Sequence, residues 1–186
     1  MSTIVETQVR EAWPEDLDAV TAIYATYVLQ TTVSFAETPP TRAQWGTRYW
    51  DIAGRGLPFL VAELDGQVVG MAFCSPWKAK SAYRFTVENS IYLDPRATGR
   101  GLGTALLEEL LDRCATAGIR EVIAVIVDNG NTASEKLHLR CGFTEVGRLH
   151  GVGTKHGSTL DTVLMQRHLT TSTRFPHPSS SSSTLS

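Results

Sequence analysis

The sequence predicts an α/β chain of the α+β kind: one mixed, twisted sheet of about six or seven strands with helices on both faces. Three observations predict it. Short apolar runs and helix-periodic segments follow one another in the order β-α-α-β-β-β-α-β-α-β-β. Residues 59–64 and 68–74 flank Asp65-Gly66, the turn signal of an antiparallel hairpin. Finally, Ile91-Tyr92-Leu93 stops at Asp94-Pro95 and passes through three glycines into a periodic helix, a strand-to-helix connection.

Residues 8–12 read as a first strand. Pro14-Glu15-Asp16 opens a helix, because proline suits a first turn and acids suit the positive end of its dipole. Leu17, Val20, Ile23, Tyr24, Tyr27 and Val28 then keep helical spacing to residue 29. Thr38-Pro39-Pro40 breaks the chain, and Thr41 is placed to cap a second helix over 42–53 with Trp45, Tyr49 and Ile52 on its apolar face. After the hairpin, 83–93 reads as a long third strand of a meander. Residues 101–117 read as a helix stopped by Gly118, and 121–127 as an interior strand. A short helix over 133–140 ends at Cys141-Gly142. Residues 143–149 and 160–168 close the sheet as a strand pair.

A chain of 186 residues with 42% hydrophobic residues suits a single domain, which we place at 1–169. From Thr170 to Ser186 the sequence turns into Ser/Thr-rich low complexity, and a disordered tail is expected. The formal net charge of −2 gives no basic footprint, so no nucleic-acid partner is expected. No apolar run reaches the ~20 residues that span a bilayer, and Met1 to Arg10 lacks a basic-then-apolar leader pattern; no membrane partner is expected. Cys74, Cys114 and Cys141 are odd in number and widely spaced. That argues against a disulfide framework or a zinc site, so we expect no metal and a reducing, cytoplasmic setting.

The chemistry concentrates at Thr98-Gly99-Arg100-Gly101-Leu102-Gly103-Thr104. Glycines let main-chain N–H groups converge, and a helix start adds unpaired N–H groups and partial positive charge. This is an anion cradle suited to a phosphate or pyrophosphate. It is not a Rossmann turn, which needs glycine where Thr104 stands, and it lacks the lysine of a Walker loop.

The spacing Thr98-x-x-Gly101-x-Gly103 resembles the acetyl-CoA pyrophosphate loop of the GCN5-related N-acetyltransferases (GNAT). That family usually has Gln or Arg where Thr98 stands. A second stretch, Asn131 to Phe143, resembles the family's last helix, with Asn131, Ser134, Leu137, His138, Gly142 and Phe143 at matching positions. One branch fits best. Trp77-Lys78-Ala79-Lys80-Ser81-Ala82-Tyr83-Arg84-Phe85-Thr86-Val87-Glu88 is similar to a stretch of the phosphinothricin and methionine sulfoximine N-acetyltransferases. So are Phe35 after the first helix, Leu137-His138, and Gly153-Thr154-Lys155-His156-Gly157. Lys80, Phe85 and Thr159 depart from that branch, which carries Arg, Trp and Trp there.

The resemblance implies the GNAT fold, acetyl-CoA as co-substrate, and transfer of its acetyl group to a small amino-acid-like amine. Glu88 is an acid amid apolar and uncharged neighbours; burial would raise its pKa and suit it as general base, the alternative being a solvated strand face. His138 is implied as a second acid/base group, or it is a structural helix histidine. Ile91, Tyr92 and Leu93 are implied to pair with the pantetheine arm, the N–H about Leu93 facing the thioester oxygen. Arg96 and Arg100 bring charge near the phosphates, and Asn131 and Ser134 either bond the coenzyme arm or cap their helix. Lys78, Lys80, Tyr83 and Arg84 gather cations and a hydroxyl before Glu88, suited to an anionic amino acid, with Phe35, Trp77 and Phe85 as possible pocket walls or plain core. A homodimer follows from the resemblance alone. Two other readings stay open: acetylation of another amine, such as a polyamine or a protein N-terminus, and a coenzyme A-binding sensor without turnover.

Overall fold

The computed structural model describes residues 6–170; the expected tail, apart from Thr170, lies outside them. Among the described residues, seven strands form one sheet: β1 (Thr7–Glu11), β2 (Phe59–Leu64), β3 (Gln67–Pro76), β4 (Thr86–Leu93), β5 (Glu121–Asp128), β6 (Thr144–Lys155) and β7 (Ser158–His168). Four helices accompany them: α1 (Leu17–Gln30), α2 (Arg42–Gly54), α3 (Leu102–Thr116) and α4 (Ala133–Arg140). The spatial order is β1-β2-β3-β4-β5-β7-β6. Every neighbouring pair is antiparallel except β4 and β5, which are parallel.

Alternation along the strands builds two cores. Phe59, Val61, Met71 and Phe73 face α1 and α2, packing on Val20, Tyr24, Trp45 and Ile52. Leu60, Ala62, Ala72, Cys74 and Val87 face the other way, onto Leu106, Leu107 and Leu110 of α3. Helices therefore cover both faces, as the pattern predicts. All three cysteines are buried, as expected of small apolar groups. Thr41 caps α2 through a reciprocal pair: its hydroxyl accepts from Gln44 N, and the Gln44 side chain accepts from Thr41 N.

Three expectations change. Pro14–Asp16 is a turn of 3-10 helix, and α1 proper begins at Leu17. The strand expected from residue 83 begins only at Thr86, with Ser81–Tyr83 in a 3-10 turn. The reason is geometric: β3 and β4 are antiparallel, so the chain must reverse between Pro76 and Thr86, and residues 77–85 make that reversal. The strand expected at 143–149 runs on to Lys155, because the glycines there sit at register shifts inside β6 instead of ending it.

The feature that makes a site is the short ladder between β4 and β5. It spans only Thr86↔Glu121, Val87↔Val122 and Glu88↔Ile123. Beyond it β4 stays with β3 to Leu93, and β5 stays with β7 to Asp128, so the two strands diverge and leave a gap.

Candidate active site

Two hydrogen bonds set the phase of β4. Trp77 N donates to Thr86 O at 3.2 Å, and Asp94 N donates to Val69 O at 2.7 Å. Even-numbered residues of β4 therefore direct their main-chain groups to β3. The N–H groups of Ile91 and Leu93 point the other way, toward β5, where the ladder has already ended. The Tyr27 hydroxyl donates to the Leu93 carbonyl at 2.6 Å, which pins this free edge to α1. A cleft of about 500 Å3 follows the gap.

At one end of the cleft stands the glycine turn. Gly99 and Gly101 have φ of 76° and 80°, the left-handed region that glycine enters without strain. α3 starts directly after, so the first amides of the helix have no partner within it. Gly103 seats that helix start closely: a Cβ there would be 3.4 Å from both Leu93 and Leu137. Thr98, Gly99, Gly101, Gly103 and Thr104 line the cleft, whereas Leu102 is buried in the core. Arg100 is exposed and does not line it. Arg96 is turned back onto Asp94, at 2.7 Å. The facing wall is the loop into α4. Asn131 and Ser134 line the cleft there, and the Asn131 side chain accepts from Ala133 N at 3.0 Å, so it braces the helix start.

At the closed end lie Glu88, Asn89 and His138. Alternation puts Glu88, Ser90 and Tyr92 on the α1/α2 face; Tyr92 stacks edge-on against Tyr24 there. Asn89 points to the opposite face, beneath α4. The Glu88 carboxyl is half-buried, and burial raises its pKa, opposed by Lys78. His138 is 2% exposed. Its Nδ1 is 2.8 Å from the Ser134 carbonyl, which can only accept, so Nδ1 carries the hydrogen. Nε2 then accepts from the Asn89 amide at 3.0 Å. Burial holds the imidazole below its ordinary pKa against the bond to Ser134. Among the described residues, the Asn89 carboxamide oxygen is left buried without a partner.

Comparison with known proteins meets this geometry. The Acetyltransferase (GNAT) family profile matches residues 20–143, the whole stretch from α1 through the cradle to the end of α4. The chain belongs to the GNAT family. It is 47% identical to a phosphinothricin N-acetyltransferase of Alcaligenes faecalis, over 87% of this chain and 82% of that one. It is 38% identical to an L-methionine sulfoximine/L-methionine sulfone acetyltransferase of Pseudomonas aeruginosa, over 87% and 94%. Among solved structures, a GNAT-superfamily phosphinothricin acetyltransferase from Sinorhizobium meliloti, in complex with acetyl-CoA, superposes with a TM-score of 0.84 at 43% identity, covering 88% of each chain.

In this GNAT chain the residues expected around the acceptor are less closely gathered. Lys78 is near enough to Glu88 to affect its titration, and its ammonium rests 4.7 Å from the Trp77 ring. Lys80 and Tyr83 are exposed in the reversal, and the guanidinium groups of Arg84 and Arg120 lie 4.4 and 4.6 Å from the Phe85 ring centre. Phe35 packs on Gly153 of β6. None of these five lines the cleft: the reversal carries Lys78, Lys80, Tyr83 and Phe85 past the edge of the gap, and Phe35 is taken up by Gly153. Tyr27, Asn89 and Asn129 line it and were not singled out from sequence. Asn89 carried a usable signal: a polar residue beside Glu88 in an apolar strand, one step out of phase with it.

Proposed function

We propose that this chain is an acetyl-CoA-dependent N-acetyltransferase for a small amino-acid-like amine of the phosphinothricin, methionine sulfoximine or methionine sulfone type, by direct transfer in a ternary complex. One observation carries the reading. A row of outward amides at Ile91 and Leu93 runs from an anion cradle to a half-buried carboxylate. Relatives named for these acceptors, at 38–47% identity, support the substrate class.

The residues fit the coenzyme. Amides at Thr98 to Thr104 would hold the pyrophosphate, with no metal called for. The edge of β4 at Ile91 and Leu93 would take the amides of the pantetheine arm as an added strand, with Tyr92 behind them and Asn131 and Ser134 across the gap. Bound there, the coenzyme supplies an acetyl thioester. Glu88 removes the proton from the acceptor ammonium on the α1/α2 face. For an α-amino group of pKa ~8 that costs about 1.4 kcal/mol at pH 7, against about 4.6 for a lysine at ~10.4. One carboxylate of raised pKa is adequate for the first. The neutral amine attacks the thioester carbon while the N–H about Leu93 stabilises charge on its oxygen; the C–S bond then breaks, and the departing thiolate takes up the amine's second proton. His138, neutral with both nitrogens engaged, acts at the closed end through Asn89. Lys78 steers an anionic acceptor toward Glu88, and Lys80, Tyr83, Phe85 and Phe35 complete the acceptor side in the assembled protein.

We place the protein in the cytoplasm as a homodimer. Val146, Leu149 and Val152 are exposed apolar residues on β6, an edge strand of the sheet, and a second copy would cover them. Sedimentation should return twice the chain mass.

Thiol release from acetyl-CoA, measured with phosphinothricin, methionine sulfoximine, methionine sulfone, a polyamine and a peptide N-terminus, tests the function. Release with the first three upholds it. Release with only the last two reassigns the acceptor, and coenzyme binding without any release makes the chain a sensor.

A further inference from the structure

We propose that Lys155 is a positioning residue for acceptor recognition: it latches the loop after α1 onto the β6–β7 hairpin and so sets one wall of the acceptor pocket. The inference rests on the function proposed above, which places the acceptor on the α1/α2 face beside Glu88.

Lys155 is 5% exposed, an unusual place for an ammonium. Its hydrogen bond among the described residues runs from Nζ to the Ser34 carbonyl at 2.5 Å, joining positions 121 residues apart. Burial pulls the ammonium below its ordinary pKa, opposed by Glu37. A charge so placed stays only where its partner repays the lost hydration, and here the partner is loop backbone.

The same loop is held at three further points. The Tyr24 hydroxyl meets the Ser34 hydroxyl at 2.8 Å. Asn129, in the cleft wall, donates to the Thr32 hydroxyl at 3.2 Å. Phe35 lies flat against Gly153, where a Cβ would fall 2.2 Å from Cζ of the ring. Between these anchors Val33 lines the cleft. The loop reaches the site through Val33, while Lys155 and Gly153 hold it from outside; neither of those two lines the cleft. None of the latch residues belongs to the coenzyme track at 91–104, so the latch should act on the acceptor side.

Lys155→Met and Gly153→Ala break the latch from two sides. Each should raise the acceptor KM about tenfold, the worth of one strong hydrogen bond, with acetyl-CoA affinity and kcat nearly unchanged. Unchanged acceptor KM in both single variants overturns the proposal. So does a parallel loss of acetyl-CoA affinity, the mark of general destabilisation. If the wild type acetylates none of the amines, the functional reading fails on its own, and amide hydrogen exchange still reads the latch. Faster exchange over residues 31–36 in Lys155→Met upholds it, and unaltered exchange ends it.

Discussion

Asn89 and His138 meet across the floor of the cleft at 3.0 Å, and their hydrogen bond has one consistent direction. The Ser134 carbonyl takes the Nδ1 hydrogen, so Nε2 is bare and Asn89 must offer its NH2 group. A residue of β4 and a residue of α4 thus share one polar contact inside an otherwise apolar layer.

The first prediction follows from that contact. Nitrogen-15 spectra of histidine-labelled protein should show His138 neutral at pH 7 and protonated on Nδ1. Its folded pKa lies below the unfolded value of ~6.5, so the unfolded chain binds more protons between the two. Stability is complete above pH ~6.5 and declines as pH falls through that window, by at most about 1.4 kcal/mol per pH unit for this one group. His138→Gln should flatten the acid side of the stability curve. An imidazolium signal at pH 7 would contradict the assignment.

Glu88→Gln should lower turnover at pH 7 by roughly 10²–10⁴-fold while acetyl-CoA binding holds. The same change should raise the melting temperature. The sign follows from burial: the folded pKa is raised, so the ionised carboxyl is disfavoured in the folded state at neutral pH, and the amide removes that cost. Wild-type stability from this group is present at low pH and lost as pH rises through the folded pKa. A variant that keeps full activity would remove Glu88 from the mechanism.

Gly101→Ala probes the cradle alone. No described residue lies within 4 Å of the added methyl, but φ is 80°, where an L-residue is strained by ~1–2 kcal/mol. Relief of that strain re-aims the amides at the start of α3, so coenzyme A affinity by calorimetry should weaken about tenfold. Wild-type affinity would show that the cradle does not grip the coenzyme.

Thr41→Ala should cost about 1 kcal/mol of stability, because it removes one half of the reciprocal cap on α2. α2 contributes no residue to the cleft, so thiol release per folded molecule should stay constant. Denaturant titration alongside the activity assay separates the two.

Some of this was legible in residue order. The Asp65-Gly66 turn, the Thr41 cap and the glycine turn before α3 each rest on neighbours a few positions apart, and each stands where the pattern places it. Glu88 was legible as an acid in an apolar strand. The start of β4 was not: residues 83–85 have strand-like composition, yet the reversal demanded by antiparallel pairing with β3 claims them. The long β6 was hidden by glycines that read locally as turns and serve in the sheet as register shifts.

Sequence alone determined the elements, the cradle and the chemistry of the single residues, because short-range sterics, periodicity and side-chain type act within a few positions. Tertiary structure decided what depends on distant pairing. β7 inserts between β5 and β6, and β4 parts from β5 after three rungs, turning two ordinary strands into a cleft. Packing brought Asn89 under His138 and Lys155 onto Ser34, across 49 and 121 residues. No local preference encodes such contacts; they arise where two cores settle on opposite faces of one sheet.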